Sequence, residues 1–341
     1  MKMVKQKTIL TLFLIISKIS SCEIIFSKEI SIIETVKIWD KAPHNAFTDL
    51  EYYKGKWYCA FREGNGHAGS GDYGRIRIIR SNEGKAWQSV ALLAKDKVDL
   101  RDAKLSVTPD NNLLLNSCEY RVDNDSDSIR NNTSITFLSS NGIDWSNENK
   151  IADKNFWLWQ TTWHNSKGYA LGYRWGHNDM TRLYTTTNGI DYIQLVDHLR
   201  PPNDKSNEHA MLFDSDNTAH MLLRRDNTSS KEAGHALLGK ASPPYKDWEW
   251  RRLNIRIGGP AMIQIDPDTI IACVRRYGNT NWTELGWINT NTAKYEPAVK
   301  LPSGGDTSYA GLVWHKKVLW ISYYSSHEGK SSIYLSKVKI R

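Results

Sequence analysis

"NEHAMLFDSDNTAHMLLRRD", residues 207–226, is the stretch on which the reading of the whole chain turns. Glu208 opens an apolar strand. A polar turn at Asp214–Asn217 reverses the chain, and a second apolar strand returns to end in Arg224 and Arg225. In an antiparallel hairpin the first residue of one strand lies beside the last residue of the next. One carboxylate and two guanidinium groups are therefore brought to the same end of a greasy hairpin.

Five other stretches follow the same plan. "AFTDLEYYKGKWYCAFRE" ends near Arg62, "RDAKLSVTPDNNLLLNSCEYR" at Arg121, and "WQTTWHNSKGYALGYRW" at Arg174. "GPAMIQIDPDTIIACVRRYG" reaches Arg275 and Arg276, and "SYAGLVWHKKVLWISYYSS" puts Tyr323 and Tyr324 in the corresponding place. The markers at 62, 121, 174, 225, 276 and 324 are spaced by 59, 53, 51, 51 and 48 residues. Cys59, Cys118 and Cys273 each stand three residues before their marker, which supports the register. Six repeats of this length predict an all-β fold: one six-bladed β-propeller of four-stranded antiparallel blades over residues 35–341. The last unit is one strand short, with only "SSIYLSKVKI" after its hairpin. "TVKIWD" (Thr35–Asp40) is expected to pair with Ser332–Ile340 and close the ring, which removes an exposed sheet edge. "RVDNDSDSIRNNTS" reads as a long loop in the second blade. No sustained 3.6-residue apolar period argues for helices.

Residues 1–21 stand outside this pattern. Lys2, Lys5 and Lys7 precede an apolar run from Ile9 to Ile16 and then small residues, the form of a secretory signal too short to span a bilayer. "ISSC" resembles a lipoprotein signal with Cys22 as the acylated first residue; ordinary cleavage nearby is the alternative. Removing residues 1–21 takes away four lysines and no acids, so the formal charge falls from +8 to +4. That balance, without a basic stripe interleaved with aromatics, points away from nucleic acid. The expected membrane link is an N-terminal lipid alone, and the expected location is the periplasm or cell surface. Beyond Cys22 three cysteines remain, Cys59, Cys118 and Cys273, an odd number that argues against a disulfide framework. His67, His164, His177, His209 and His327 are scattered and show no spacing that compels a metal, so neither metal nor cofactor is expected. Fourteen tryptophans and sixteen tyrosines suit β-sheet and also sugar stacking.

Three turns in successive repeats carry a resemblance. "SNEGKAW" (81–87), "SSNGIDW" (139–145) and "TTNGIDY" (186–192) resemble a shortened Asp-box, the structural turn of the sialidase-type propellers. Glycine permits a positive φ there, and the hydroxyl and Asx or Glu side chains bond the turn backbone. The opening hairpin resembles the sialidase stretch in which a glutamate starts one strand and an arginine ends the next. "DTSYAGLVW" resembles the last-blade strand that bears the nucleophilic tyrosine. The resemblance implies an exported, retaining exo-glycosidase that removes sialic acid or a related acidic sugar from glycans, with Tyr309 as nucleophile and Glu208 as its base. A tyrosine avoids the repulsion that a carboxylate nucleophile would feel from an acidic sugar. The leaving oxygen needs a separate acid; Asp102 and Asp72 are candidates, with His67 or Asp49 behind them. Arg62, Arg121, Arg224, Arg225, Arg275 and Arg276 are the candidate substrate-binding residues, because guanidinium groups take carboxylates by paired bonds. Adjacent strand residues point to opposite sides, so Arg224 and Arg225, like Arg275 and Arg276, are alternatives. One departure stands out. "PHNAFTDL" lacks the arginine that sialidases usually carry on the first strand of the first blade. Either Arg62 or Arg121 takes its place, or the substrate is another acidic sugar. A non-catalytic carbohydrate-binding propeller is the remaining alternative.

Overall fold

The structure, a computed structural model, describes residues 28–341 apart from 69–70, 122–130, 176–179, 202–203, 228, 231 and 268. The expected signal, Cys22 and most of the long loop of the second blade lie outside the described residues.

Six antiparallel sheets are arranged as blades around one axis. The chain begins with β1 (Ile30–Trp39). Blade one is β2 (His44–Tyr53), β3 (Lys56–Gly64), β4 (Arg75–Ser81) and β5 (Gln88–Leu93). Blade two is β6 (Asp99–Val107), β7 (Leu113–Arg121), β8 (Asn131–Ser139) and β9 (Asn149–Ile151). In blade three the innermost strand is interrupted, so β10 (Phe156–Leu158) and β11 (Thr162–His164) both pair with β12 (Lys167–Arg174), followed by β13 (Thr181–Thr186) and β14 (Ile193–Val196). Blade four is β15 (Ser206–Phe213), β16 (Ala219–Arg225), β17 (Leu237–Ala241) and β18 (Glu249–Arg252). Blade five is β19 (Gly258–Asp266), β20 (Thr269–Arg276), β21 (Trp282–Asn289) and β22 (Lys294–Lys300). Blade six is β23 (Thr307–His315), β24 (Val318–Ser325) and β25 (Ser332–Ile340), completed by β1.

The closing strand is longer than the sequence suggests. β1 pairs with β25 from Ile30 opposite Ile340 to Trp39 opposite Ile333. The pairing lets both chain ends share one blade, so β25 is not left as an edge. The next residues stitch blade one to blade six: the side-chain amide of Asn45 donates to the carbonyls of Ala42 and Ser331, each at 2.9 Å.

The three repeated turns lock neighbouring blades. The backbone N–H of Gly84, Gly142 and Gly189 donates to Ser81, Ser139 and Thr186 at 2.9, 2.8 and 3.0 Å. Asn141 and Asn188 each accept two further backbone N–H groups at 2.9 Å. Each glycine has a positive φ of 71–74° and sits against the preceding blade. A Cβ there would come within 2.3 Å of Trp320, 2.4 Å of Tyr58 and 2.9 Å of Leu114 respectively. Trp87, Trp145 and Tyr192 then pack on three different core clusters. Cys59, Cys118 and Cys273 are buried free thiols, consistent with a fold held by packing.

Deleting residues 1–39 removes β1 and leaves β25 unpaired. The shortened chain is expected to melt at a lower temperature than the chain beginning at Lys28 and to self-associate with rising concentration. Differential scanning fluorimetry and size-exclusion chromatography check both; a monomer of unchanged melting temperature would show that the closure is dispensable.

Candidate functional site

Near the axis the innermost strands cannot remain regular. In β2, β6, β15, β19 and β23 the register slips near the axis, at Phe47–Thr48, Asp102–Ala103, Asn207–Glu208, Gly259–Pro260 and Tyr309–Ala310. A bulge of this kind re-aims a side chain that regular pleating would point elsewhere. The distortion is visible in the backbone: Phe47, Asp102, Gly259 and Tyr309 have φ of 59°, 54°, 51° and 53°. In blade three the break between β10 and β11 serves the same place, and Trp159 fills it. The rings of Phe47 and Trp159 flank Tyr309 at 5.2 and 5.6 Å between centroids.

At this ring of bulges Tyr309 and Glu208 meet. The Tyr309 hydroxyl donates to Glu208 Oε1 at 2.6 Å. Arg224 Nη1 donates to the same oxygen at 2.7 Å and lies 3.2 Å from the phenol oxygen. Glu208 Oε2 accepts the backbone N–H of Gly259 at 2.9 Å. Both oxygens of the carboxylate are thus held, one by an ion pair and one by a fixed amide. Arg275 approaches from blade five, its guanidinium 5.1 Å from the Tyr309 ring centroid. It is anchored by bonds to the Thr307 carbonyl and the Tyr324 hydroxyl, both 2.7 Å. Burial pushes the Tyr309 phenol well above its ordinary value and the Glu208 charge adds to this, while Arg224 and Arg275 oppose it. A free phenolate is therefore disfavoured at rest.

Asp102 is a second buried carboxyl at this ring of bulges. Its pKa is pushed up to about 6, first by burial and then by Glu208, against the pull of Arg101 and Lys104. Arg101, the residue before Asp102, lies over Phe47 at 5.2 Å and interacts electrostatically with both Asp102 and Tyr309.

Of the six arginines expected at the pocket, the structure brings Arg224 and Arg275 to Tyr309. Their neighbours alternate away, as strand geometry demands: Arg225 pairs with Asp204 at 2.7 Å, and Arg276 pairs with Glu284. Arg62 is fully buried, with Nε on Asp99 at 2.6 Å and Nη2 on Asp72 at 3.2 Å. Its charge is spent on those carboxylates, which corrects its expected place among the binding residues. Arg121 stands at a half-exposed strand end, 3.4 Å from Glu119. Asp72, a candidate acid, is committed to Arg62 and to the amides of Asn65 and Gly66. Asp49 is buried and accepts the Leu105 amide at 2.8 Å.

Arg101, Phe47 and Gly259 escaped the sequence reading. The usable signal was the alignment of "RDA" in the second repeat with "SYA" in the sixth: both precede the same register slip. Strand ends alone do not separate Arg224 from Arg225 or Arg275 from Arg276.

The chain matches no protein-family model, and no curated protein matches it in sequence. Solved structures share its fold. A Dyadobacter fermentans protein of unknown function superposes with a TM-score of 0.78 at 14% identity, covering 92% of this chain and 99% of that one. A Penicillium chrysogenum alpha-L-arabinanase complexed with arabinobiose gives 0.64 at 12% identity, over 90% and 98%. A Trypanosoma rangeli sialidase in complex with the inhibitor DANA gives 0.65 at 10% identity, over 90% of this chain and 59% of that one. At these identities the likeness defines the class, a six-bladed propeller of the architecture found in these glycoside hydrolases.

Two outcomes follow from the geometry. Gly55 and Gly259 both have positive φ, but a Cβ at Gly55 meets open space, whereas one at Gly259 would lie 2.8 Å from the Tyr309 ring. Gly55→Ala is expected to cost about 1 kcal/mol, and Gly259→Ala about 1–3 kcal/mol more through overpacking; urea denaturation measures both. Equal costs would mean that the Tyr309 ring yields freely.

Asp102 has a raised pKa in the folded chain, so between about pH 4 and pH 6 the folded state holds a proton that the unfolded chain has lost. Its contribution to stability is therefore greatest at low pH and declines as pH rises through that window. The stability difference between wild type and Asp102→Asn should shift in this sense between pH 4 and 7. A constant difference would show that Asp102 is not held neutral.

Proposed function

We propose that the protein is an exported, retaining exo-glycosidase that removes a terminal acidic sugar, sialic acid or a relative of it, from glycans. The 2.6 Å hydrogen bond from Tyr309 to Glu208, bridged by Arg224, carries this reading. A tyrosine bonded to a carboxylate base beneath arginines suits an anomeric centre that bears its own negative charge. The fold shared with sialidase and arabinanase structures supports a glycosidase in general; the arginines support the acidic sugar.

In this mechanism Arg224, Arg275 and Arg101 bind the sugar carboxylate. Tyr309 Oη attacks the anomeric carbon as its proton passes to Glu208. Asp102, protonated below about pH 6, gives its proton to the leaving oxygen as the glycosidic bond breaks. A water then yields a proton to Asp102 and attacks the anomeric carbon. The phenolate leaves and recovers its proton from Glu208. Substrate and enzyme protons balance over the cycle, and no cofactor is required. Lost positive charge on the first strand of blade one, where Phe47 stands, is made good by Arg101 from blade two.

The reading extends to the N-terminus: residues 1–21 act as an export signal, and Cys22 is the lipid-bearing first residue of the mature chain. The three repeated turns are read as shortened Asp-boxes with a structural role.

The test is a panel of fluorogenic α-sialosides, uronic-acid glycosides and a neutral α-L-arabinofuranoside. Turnover of an acidic substrate is expected, with kcat falling about 1,000-fold or more in Tyr309→Phe and severely in Glu208→Gln. Arg275→Lys should chiefly raise KM for the acidic sugar. The acid limb of Asp102 should make kcat/KM decline above about pH 6. Turnover of the arabinofuranoside alone would refute the acidic-sugar reading. Retained sugar binding without turnover would identify a carbohydrate-binding propeller instead.

A further inference from the structure

Beside the pocket three side chains converge that the reaction does not use. His44 opens β2, His67 lies in the loop after β3, and Asp306 immediately precedes β23. His44 Nε2 is 3.1 Å and His67 Nδ1 2.7 Å from the same oxygen, Asp306 Oδ2. All three donor atoms lie within 4.8 Å of one another. We infer that His44, His67 and Asp306 form a binding site for one divalent transition-metal ion of the zinc class.

The donor set selects the ion. Two imidazoles and one carboxylate suit zinc, cobalt or nickel, whereas magnesium and calcium take oxygen donors. A tetrahedral ion about 2.0–2.2 Å from each donor needs donors a little over 3 Å apart; both imidazoles already stand near that distance from Asp306 Oδ2, and within 4.8 Å of each other. The carboxylate is also prepared from behind. Oδ1 accepts the Tyr324 hydroxyl at 2.7 Å and lies 3.5 Å from Arg275 Nη2, leaving Oδ2 for the imidazoles. Such outer contacts orient ligating carboxylates. The rings are placed by aromatic walls: His67 stands edge-on to Phe47 at 5.0 Å, and His44 faces Tyr324 at 6.4 Å.

The His67 side chain is half exposed, so the site opens towards solvent. Water or an oxygen of a bound glycan would complete the coordination there, one aromatic side chain away from Tyr309. The nearby Arg275 charge opposes a dication, so the affinity should be below that of a closed structural zinc site. The inference does not depend on the glycosidase reading.

The full chain, stripped with a chelator and dialysed, is titrated with Co2+ as a spectroscopic probe and with Zn2+ by calorimetry. One ion per chain is expected, with a visible d–d absorption that Zn2+ bleaches and Mg2+ does not. His67→Ala and Asp306→Asn should lose it, while His198→Ala, at an exposed position far from the three donors, should retain it. Because His67 is half exposed, its replacement leaves the core intact, and circular dichroism confirms folding. Absence of stoichiometric binding, or binding unchanged in His67→Ala, overturns the assignment.

Discussion

Six strands that converge on one axis cannot all keep a regular pleat and still present functional side chains to the same point. The bulges of the innermost strands resolve that constraint, and the site depends on them. Each left-handed residue outside glycine costs of order 1–3 kcal/mol, and the strands offset that cost by bonding one another. The Thr48 hydroxyl donates to the Tyr309 carbonyl at 2.8 Å, so the bulge of blade one holds that of blade six. Asp49 accepts the Leu105 amide, tying blade one to blade two. The Gly259 amide holds Glu208, tying blade five to blade four. The strain and the geometry at Tyr309 are therefore one feature of the fold.

The same crowding puts charge where water is scarce, and the sequence handles it residue by residue. Lys104 is buried and donates to the Thr48 carbonyl at 3.1 Å. His209, next to it electrostatically, is pushed down to about 3 by burial and by that lysine, so it stays neutral. Arg62 between Asp72 and Asp99 is a buried triad, and removing one partner of such a set leaves an uncompensated charge worth about 3–5 kcal/mol. This divides the arginines by function. Arg62 ties blade one to blade two through Asp99, and Arg225 and Arg276 pair with Asp204 and Glu284, while Arg224 and Arg275 reach the tyrosine.

How much of this could be read beforehand follows from the range of each signal. The repeated turns were legible because hydroxyl, glycine and aromatic residue act within seven positions, and their geometry is set locally. The closing strand was legible from a missing strand at the other end of the chain. The choice of Arg224 over Arg225 was not, because one residue of register reverses a side chain and a bulge adds that residue without any local mark. Arg62 misled for a different reason: its partners, Asp72 and Asp99, come from a loop and from the next blade. His44, His67 and Asp306 are remote in sequence, and only the ring closure brings blade six against blade one.

Under the glycosidase reading, the first strand of blade one bears on these facts, because it carries no arginine. Phe47 occupies the bulge there and is fully buried, with Arg101 stacked over it from the neighbouring blade. An arginine at position 47 would place a guanidinium beside Tyr309 and within reach of Arg101, where like charges repel strongly at low dielectric. Moving the charge one blade along, onto Arg101, sets it next to Asp102 instead. A cation beside that carboxyl favours its ionised form, and burial favours the neutral one; the balance near pH 6 is the outcome of both. Under the glycosidase reading, the relocated arginine thus serves twice. It supplies charge for an acidic sugar, and it keeps burial from raising the Asp102 pKa so far that the proton could not be given up and recovered in a single turnover.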